Sequence, residues 1–183
     1  MTGLKGRLLV AAPLLGDPNF ERSVVFLLEH SEEGALGVVL NRPSELEVGE
    51  PLPEWRRFTG SPEVVFVGGP VSRSSVIALA RLDRDLPSGA WEPVLDTVGV
   101  LDLTGDPDEV GAGVDALRVF AGYAGWGSGQ LEEEIGEGAW YVVDAEPADA
   151  FTAAPDVLWH AVLKRQGGEL ARVARVPANP RLN

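Results

Sequence analysis

The chain contains no cysteine, which excludes disulfides, a thiolate nucleophile and every thiolate metal site at once. Histidine is nearly absent too, so any imidazole base has to be His30 or His160. Positive charge is scarce: 15 lysines and arginines stand against 28 acidic residues, a net charge of -13. A field of that sign repels phosphate backbones and anionic lipid, because nonspecific nucleic-acid affinity comes mostly from phosphates neutralised by Lys and Arg. The short basic pairs Arg56-Arg57, Arg81 with Arg84, and Lys164-Arg165 each lie among or near carboxylates, so direct nucleic-acid binding is disfavoured. Long apolar runs are also missing, and none approaches the roughly 18 to 20 residues of a membrane span. Lys5 and Arg7 before LLVAAPLL imitate the opening of a secretory signal. That run is short, contains Pro13 and continues into GDPNFERS without a small-residue cleavage pattern, so it reads as a first strand. The expectation is a soluble cytoplasmic protein with no membrane contact.

At 183 residues the chain reads as one domain, residues 1–183, of a size that buries roughly 70% of its unfolded surface. Apolar, partly β-branched runs bounded by turn formers predict strands at 6–12, 23–29, 35–40, 64–67, 75–81, 98–103, 117–123 and 139–144. The second and third flank the polar turn Ser31-Glu32-Glu33-Gly34 and predict an antiparallel hairpin, with Asn41-Arg42-Pro43 ending its second strand. Residues 44–61 read as irregular with one short helix, and 83–92 as a loop. Helical signals are brief: a proline- and carboxylate-rich start at 106–109, residues 130–135 with Leu131 and Ile135 on one face and the glutamates in solvent, and 155–166 closed by Gly167. The tail from 176 reads as poorly ordered. Strands that do not alternate with long helices predict an α+β domain with a mixed, mainly antiparallel β-sheet and three or four short helices.

Chemical motifs fail on their details. The glycine-rich stretch 122–129 lacks the Lys-Ser/Thr of a phosphate loop and the spacing of a dinucleotide fingerprint, and reads as a tight turn under Trp126. Ser128 is flanked by glycines, but a nucleophile elbow needs glycine where Trp126 and Gln130 stand. His30, beside Glu29, reads as a structural histidine bonding its own turn, and His160 as a partly buried helix residue. No spacing gathers Glu29, Glu32, Glu33 and His30 into a metal site, and Glu132, Glu133 and Glu134 read as a solvated face, so neither metal nor cofactor is expected. In 17–23, Asp-Pro opens a turn, Phe20 is suited to anchor it, and Arg22 offers a fork for a carboxylate or an anionic ligand.

Seven blocks, in order, carry a resemblance: Leu9-Val10-Ala11-Ala12-Pro13, residues 17–25, Glu29-His30, Gly34 to Gly37, Asn41-Arg42-Pro43, Gly68-Gly69-Pro70, and residues 122–132. Together they resemble the YqgE/AlgH family of bacterial proteins, which has no established biochemical activity. One departure is Leu28, where many relatives carry cysteine; a redox role for that thiol does not transfer. The resemblance implies a compact AlgH-like α+β fold, and a link in some bacteria to exopolysaccharide regulation. With this charge, a transcription-related regulator would act through a protein partner or small molecule and not by reading DNA. The expected function is a noncatalytic ligand- or protein-binding module whose Asp17, Arg22, His30, Asn41, Gly69, Trp126 and Gln130 form the binding residues. No catalytic residue is assigned; the alternative is a small hydrolase or transferase using His30 or Ser128.

Overall fold

The computed structural model describes residues 3–13, 15–86 and 89–175, and within them ten strands join one curled sheet. In chain order the strands are β1 (Arg7–Ala11), β2 (Val24–Ser31), β3 (Gly34–Val39), β4 (Pro43–Glu47), β5 (Val64–Val67), β6 (Val71–Leu82), β7 (Trp91–Leu95), β8 (Val98–Leu101), β9 (Val114–Gly127) and β10 (Trp140–Asp144). The helices are α1 (Pro107–Val110), α2 (Gln130–Gly136), α3 (Leu158–Gln166) and α4 (Gly168–Val173). The main path runs β10-β1-β2-β3-β9-β6-β8-β7. Every pairing along it is antiparallel, while β5 lies parallel to β9 and carries β4 on its other side. The sheet is therefore mixed and mainly antiparallel, and the fold is α+β.

Alternation along the strands builds two cores. Leu8, Val10, Phe26, Leu28, Val38, Leu79 and Phe120 point to the inner face, where α3 seats Leu158, Trp159, Val162 and Leu163. Their neighbours Leu9, Ala11, Val25, Leu27 and Trp126 point outward and are covered by Leu131 of α2. A third cluster, around Trp55, Ala80, Leu101 and Leu117, fills the outer face at the other end of the sheet. Curling brings the sheet's ends together: a Cβ on Gly6 would stand 3.0 Å from the Val94 carbonyl of β7.

Two strands escaped the sequence pattern, and both contain proline. β4 begins at Pro43 and β7 holds Pro93; the ring removes a ladder donor, which confines such segments to edges. Most of the glycine-rich stretch is also not the expected turn: β9 continues through it to Gly127, with a register shift at the left-handed Gly122, and only Ser128-Gly129 turn. Glycine is needed there for close approach. Gly68 N–H donates to Ala121 O at 2.9 Å, and a Cβ on Gly69 would lie 2.2 Å from the Tyr123 carbonyl carbon. At the other end the helical run 155–166 opens as a 3-10 turn and resumes beyond Gly167 as α4. The tail from 176 lies outside the described residues. No helix among the described residues is long and apolar enough to cross a membrane.

Candidate functional site

The residues singled out in the sequence fall into two polar groups and one backbone crossing. Asp17, Arg22 and Asn41 gather where the 15–23 loop meets the end of β3. Asn41 acts as a surrogate strand residue: its Oδ1 accepts from Val24 N–H at 3.0 Å and its Nδ2 donates to Arg22 O at 2.9 Å. That second bond holds Arg22 at φ 54, in the left-handed region. The Arg22 guanidinium lies 4.5 Å from the Trp159 ring centroid and donates to His160 Nε2 at 3.1 Å. His160 itself is exposed, not partly buried. Arg42 adds a clamp, donating to the carbonyls of Asn19 and Glu21. Burial pulls the Arg42 pKa below its ordinary value, opposed by the nearby Glu21 and Asp17 carboxylates. Gly69 belongs to neither group but to the crossing over Tyr123.

His30, Trp126 and Gln130 form the second group, around α2. Leu4 N–H donates to His30 Nδ1 at 2.9 Å, so Nδ1 carries a lone pair and Nε2 carries the proton that meets Glu132 Oε1 at 3.2 Å. The imidazole is 1% exposed and both nitrogens are committed. Its partners are the N-terminal backbone and α2, not its own turn. Glu134 Oε1 accepts from the indoles of Trp126 and Trp140 at 3.1 and 3.0 Å, while Oε2 accepts from Gln130 Nε2 at 2.9 Å. The glutamates of α2 are thus not simply a solvated face: two of the three reach back onto the sheet. Phe20 links the two groups, with its ring 5.5 Å from Trp140 and 6.2 Å from Trp126. Ser128 Oγ donates to Glu32 O at 2.7 Å, and among the described residues neither histidine bonds a hydroxyl.

Beside the β2–β3 hairpin the sheet leaves an open groove. Leu28, Leu36, Ile77, Val94 and Val100 form a cavity of about 190 Å³ whose rim carries Lys5, Glu29 and Glu92. A shallower depression round the hairpin tip shares Lys5, Glu29 and Leu36 with it and extends to His30 and Trp126. No group of three or more His, Asp or Glu side chains within the described residues is arranged to hold a metal ion.

A family model described as AlgH-like matches residues 8–171. The chain belongs to the AlgH-like family. It is 52% identical to a UPF0301 protein of Streptomyces coelicolor, over all of this chain and 97% of that one. A UPF0301 protein of Thermobifida fusca is 50% identical over 98% of this chain and 96% of its own. Among solved structures, a Corynebacterium diphtheriae protein superposes with a TM-score of 0.89 at 32% identity, covering 95% of this chain and 92% of that one. The AlgH protein of Pseudomonas aeruginosa gives a TM-score of 0.71 at 32% identity, over 95% and 94%.

In this AlgH-like chain the signature blocks answer one another. Asn41-Arg42 tie down residues 19–24, Glu29-His30 meets Glu132 of the last block, and Gly68-Gly69 packs on Gly122-Tyr123. Trp159, outside every block, closes the first by donating to Ala11 O at 2.9 Å. Sequence reading missed Glu132, Glu134 and Arg42 as polar anchors. A glutamate run beside tryptophans was the available signal, since buried indole N–H groups need an acceptor. Leu28 is 4% exposed on the wall of the groove.

Proposed function

We propose that this AlgH-like chain is a noncatalytic binding module whose ligand site is the groove beside the β2–β3 hairpin. One observation carries the reading: the side chains of His30, Asn41 and Gln130 are engaged in hydrogen bonds within the fold, while five apolar side chains under a charged rim stay open. An apolar floor with a few charged groups at the mouth is the usual composition of a small-molecule site. The ligand is a compact apolar group carrying one polar end, with Lys5 set against Glu29 and Glu92 at the rim. A base or nucleophile needs an uncommitted atom within reach of substrate. His30 has none, and the Ser128 hydroxyl proton is directed to a backbone carbonyl. If the module regulates, the net charge of -13 and the pairing of Arg56, Arg57, Arg81 and Arg165 with carboxylates favour action through a protein partner over contact with DNA. With no cysteine to oxidise, a cytoplasmic location fits this reading.

The test is a fragment titration followed through methyl resonances. Apolar fragments with a polar end should shift Leu28, Leu36, Ile77, Val94 and Val100 together and saturably. Fragments that leave these five methyl sets unmoved, or that act first on His160 or Ser128, would overturn the assignment.

A further inference from the structure

Two strands along the sheet from the groove residue Val100, but sharing no lining residue with the groove, Arg118 sits on the inner face of β9 with 3% of its surface exposed. Among the described residues no carboxylate pairs with it. Its Nη1 donates to Thr152 O at 2.6 Å, its Nη2 to Ser61 O at 3.1 Å, and its guanidinium lies 4.4 Å from the Phe66 ring centroid. A guanidinium has five N–H donors, of which the two carbonyls take two; among the described residues no buried side-chain nitrogen lacks a partner altogether, so what is missing around Arg118 is a counter-charge. Desolvation alone lowers the Arg118 pKa to about 10, with no neighbouring carboxylate to oppose it; the group is still a cation at neutral pH. Burying such a charge with only dipoles for company is costly unless a counter-ion completes the pair.

The surroundings offer a place for one. Arg118 lines a cavity of about 400 Å³ together with Arg57, Arg81, Thr59 and Gly60, walled by Phe58 and Phe151. In a chain with nearly twice as many acidic as basic residues, three guanidinium groups on one cavity are a local inversion of charge. Two of them are already neutralised: Arg57 by Asp108, and Arg81 by Asp115 at 2.8 Å. The Arg81 guanidinium also faces the Phe151 ring at 5.8 Å, and that of Arg57 faces Phe58 at 4.8 Å. The uncompensated charge is therefore a single positive one.

We infer that this cavity is an anion site for a small carboxylic acid, its carboxylate paired with the Arg118 guanidinium and its apolar body between Phe58 and Phe151. A carboxylate suits the planar fork and supplies one negative charge, whereas a phosphate dianion would bring one charge too many beside Asp115. Arg118 acting only as a strap between residues 61 and 152 would account for the two carbonyl bonds but not for the cavity it lines.

The probe is sodium benzoate, titrated into the full chain at fixed ionic strength and followed by amide resonances of Gly60 and Ala116, with inorganic phosphate as the comparison. Benzoate should give saturable shifts at both amides, and phosphate weaker ones. Ala148→Glu, at an exposed position on the cavity wall, supplies an internal carboxylate and should weaken benzoate at least about tenfold without unfolding the chain. Arg118→Met should abolish binding; because it can also unfold the chain, the Ala148 variant carries the decision. No saturable benzoate shift, equal affinity in Ala148→Glu, or phosphate binding tighter than benzoate would each overturn the inference. Because Gly60 and Ala116 line this cavity and not the groove, while the five methyl reporters line the groove and not this cavity, the two sites are read separately and fail or survive separately.

Discussion

Removing the Glu134 carboxylate should be among the most damaging single changes on the surface of α2. Its Oε1 is the acceptor for two indoles that are themselves buried, Trp126 at 6% and Trp140 at 3% exposure. Glu134→Ala leaves both N–H groups without their acceptor, and an orphaned buried donor costs about 1–3 kcal/mol. Lost with it is the Gln130 bond that helps hold the first turn of α2 against Gly127, where Gln130 Oε1 accepts from the backbone N–H at 3.0 Å. The better helix propensity of alanine returns only a few tenths, about 0.3 kcal/mol. The sum is a destabilisation of about 2–6 kcal/mol. Glu134→Gln keeps a carbonyl oxygen for the indoles but sets an amide N–H2 where Oε2 accepted from Gln130 Nε2, so it gives up that bond and the charge assistance and should cost about 1–2 kcal/mol. Urea unfolding followed by tryptophan fluorescence measures both, provided the slope m is unchanged. A Glu134→Ala variant within about 1 kcal/mol of wild type, or equal losses for the two variants, would refute the claim that this carboxylate anchors the signature block.

Other consequences follow from equally local geometry. Gly69→Ala places a methyl 2.2 Å from the Tyr123 carbonyl carbon and should cost about 3 kcal/mol or prevent folding, whereas Gly129→Ala, with φ 74 but open space, should cost about 1–2 kcal/mol; comparable thermal shifts would contradict the close-crossing account. Asn41→Ala removes a side chain bonded to two main-chain groups and should lose about 2 kcal/mol in the same urea assay; a loss below about 0.5 kcal/mol would show the surrogate-strand role to be idle. The Thr104 hydroxyl, at 2.6 Å, and then its backbone N–H hold the Asp102 carboxyl below its ordinary 3.8. The stability this contributes is fully present above 3.8 and is lost as pH falls through the folded value. Thr104→Val should move the Asp102 titration, read by carboxyl NMR, back upward, and an unmoved curve would assign the shift elsewhere.

The strand-rich α+β character was legible because it rests on short-range pattern: apolar runs such as 23–29 and 35–40, closed by Glu32-Glu33, are specified by their own residues. β4 and β7 were not, because Pro43 and Pro93 argue locally against a strand and only the neighbouring edge overrides them. The run from Gly122 to Gly127 misled for a related reason. Glycine marks a turn or a close approach with equal force, and choosing between them requires knowing that Gly68 and Gly69 arrive from elsewhere. Polar residues were the hardest to place. His30 and Glu132 are 102 positions apart and carry no mutual signal in one sequence, so a histidine with both nitrogens engaged looked the same as one free to act. The groove was invisible because its walls, from Leu28 to Val100, are ordinary core residues until the sheet curls.

The central claim is that the chain binds a compact ligand in the groove and performs no chemistry on it. Its most direct test is native mass spectrometry of protein purified gently from its host, run side by side on wild type and on Val94→Trp, which fills the groove from a half-buried wall. The account predicts a reproducible small mass on the wild type, released unchanged on denaturation and missing from the folded variant. A clean apo mass for both proteins, or a bound mass indifferent to Val94→Trp, would contradict it.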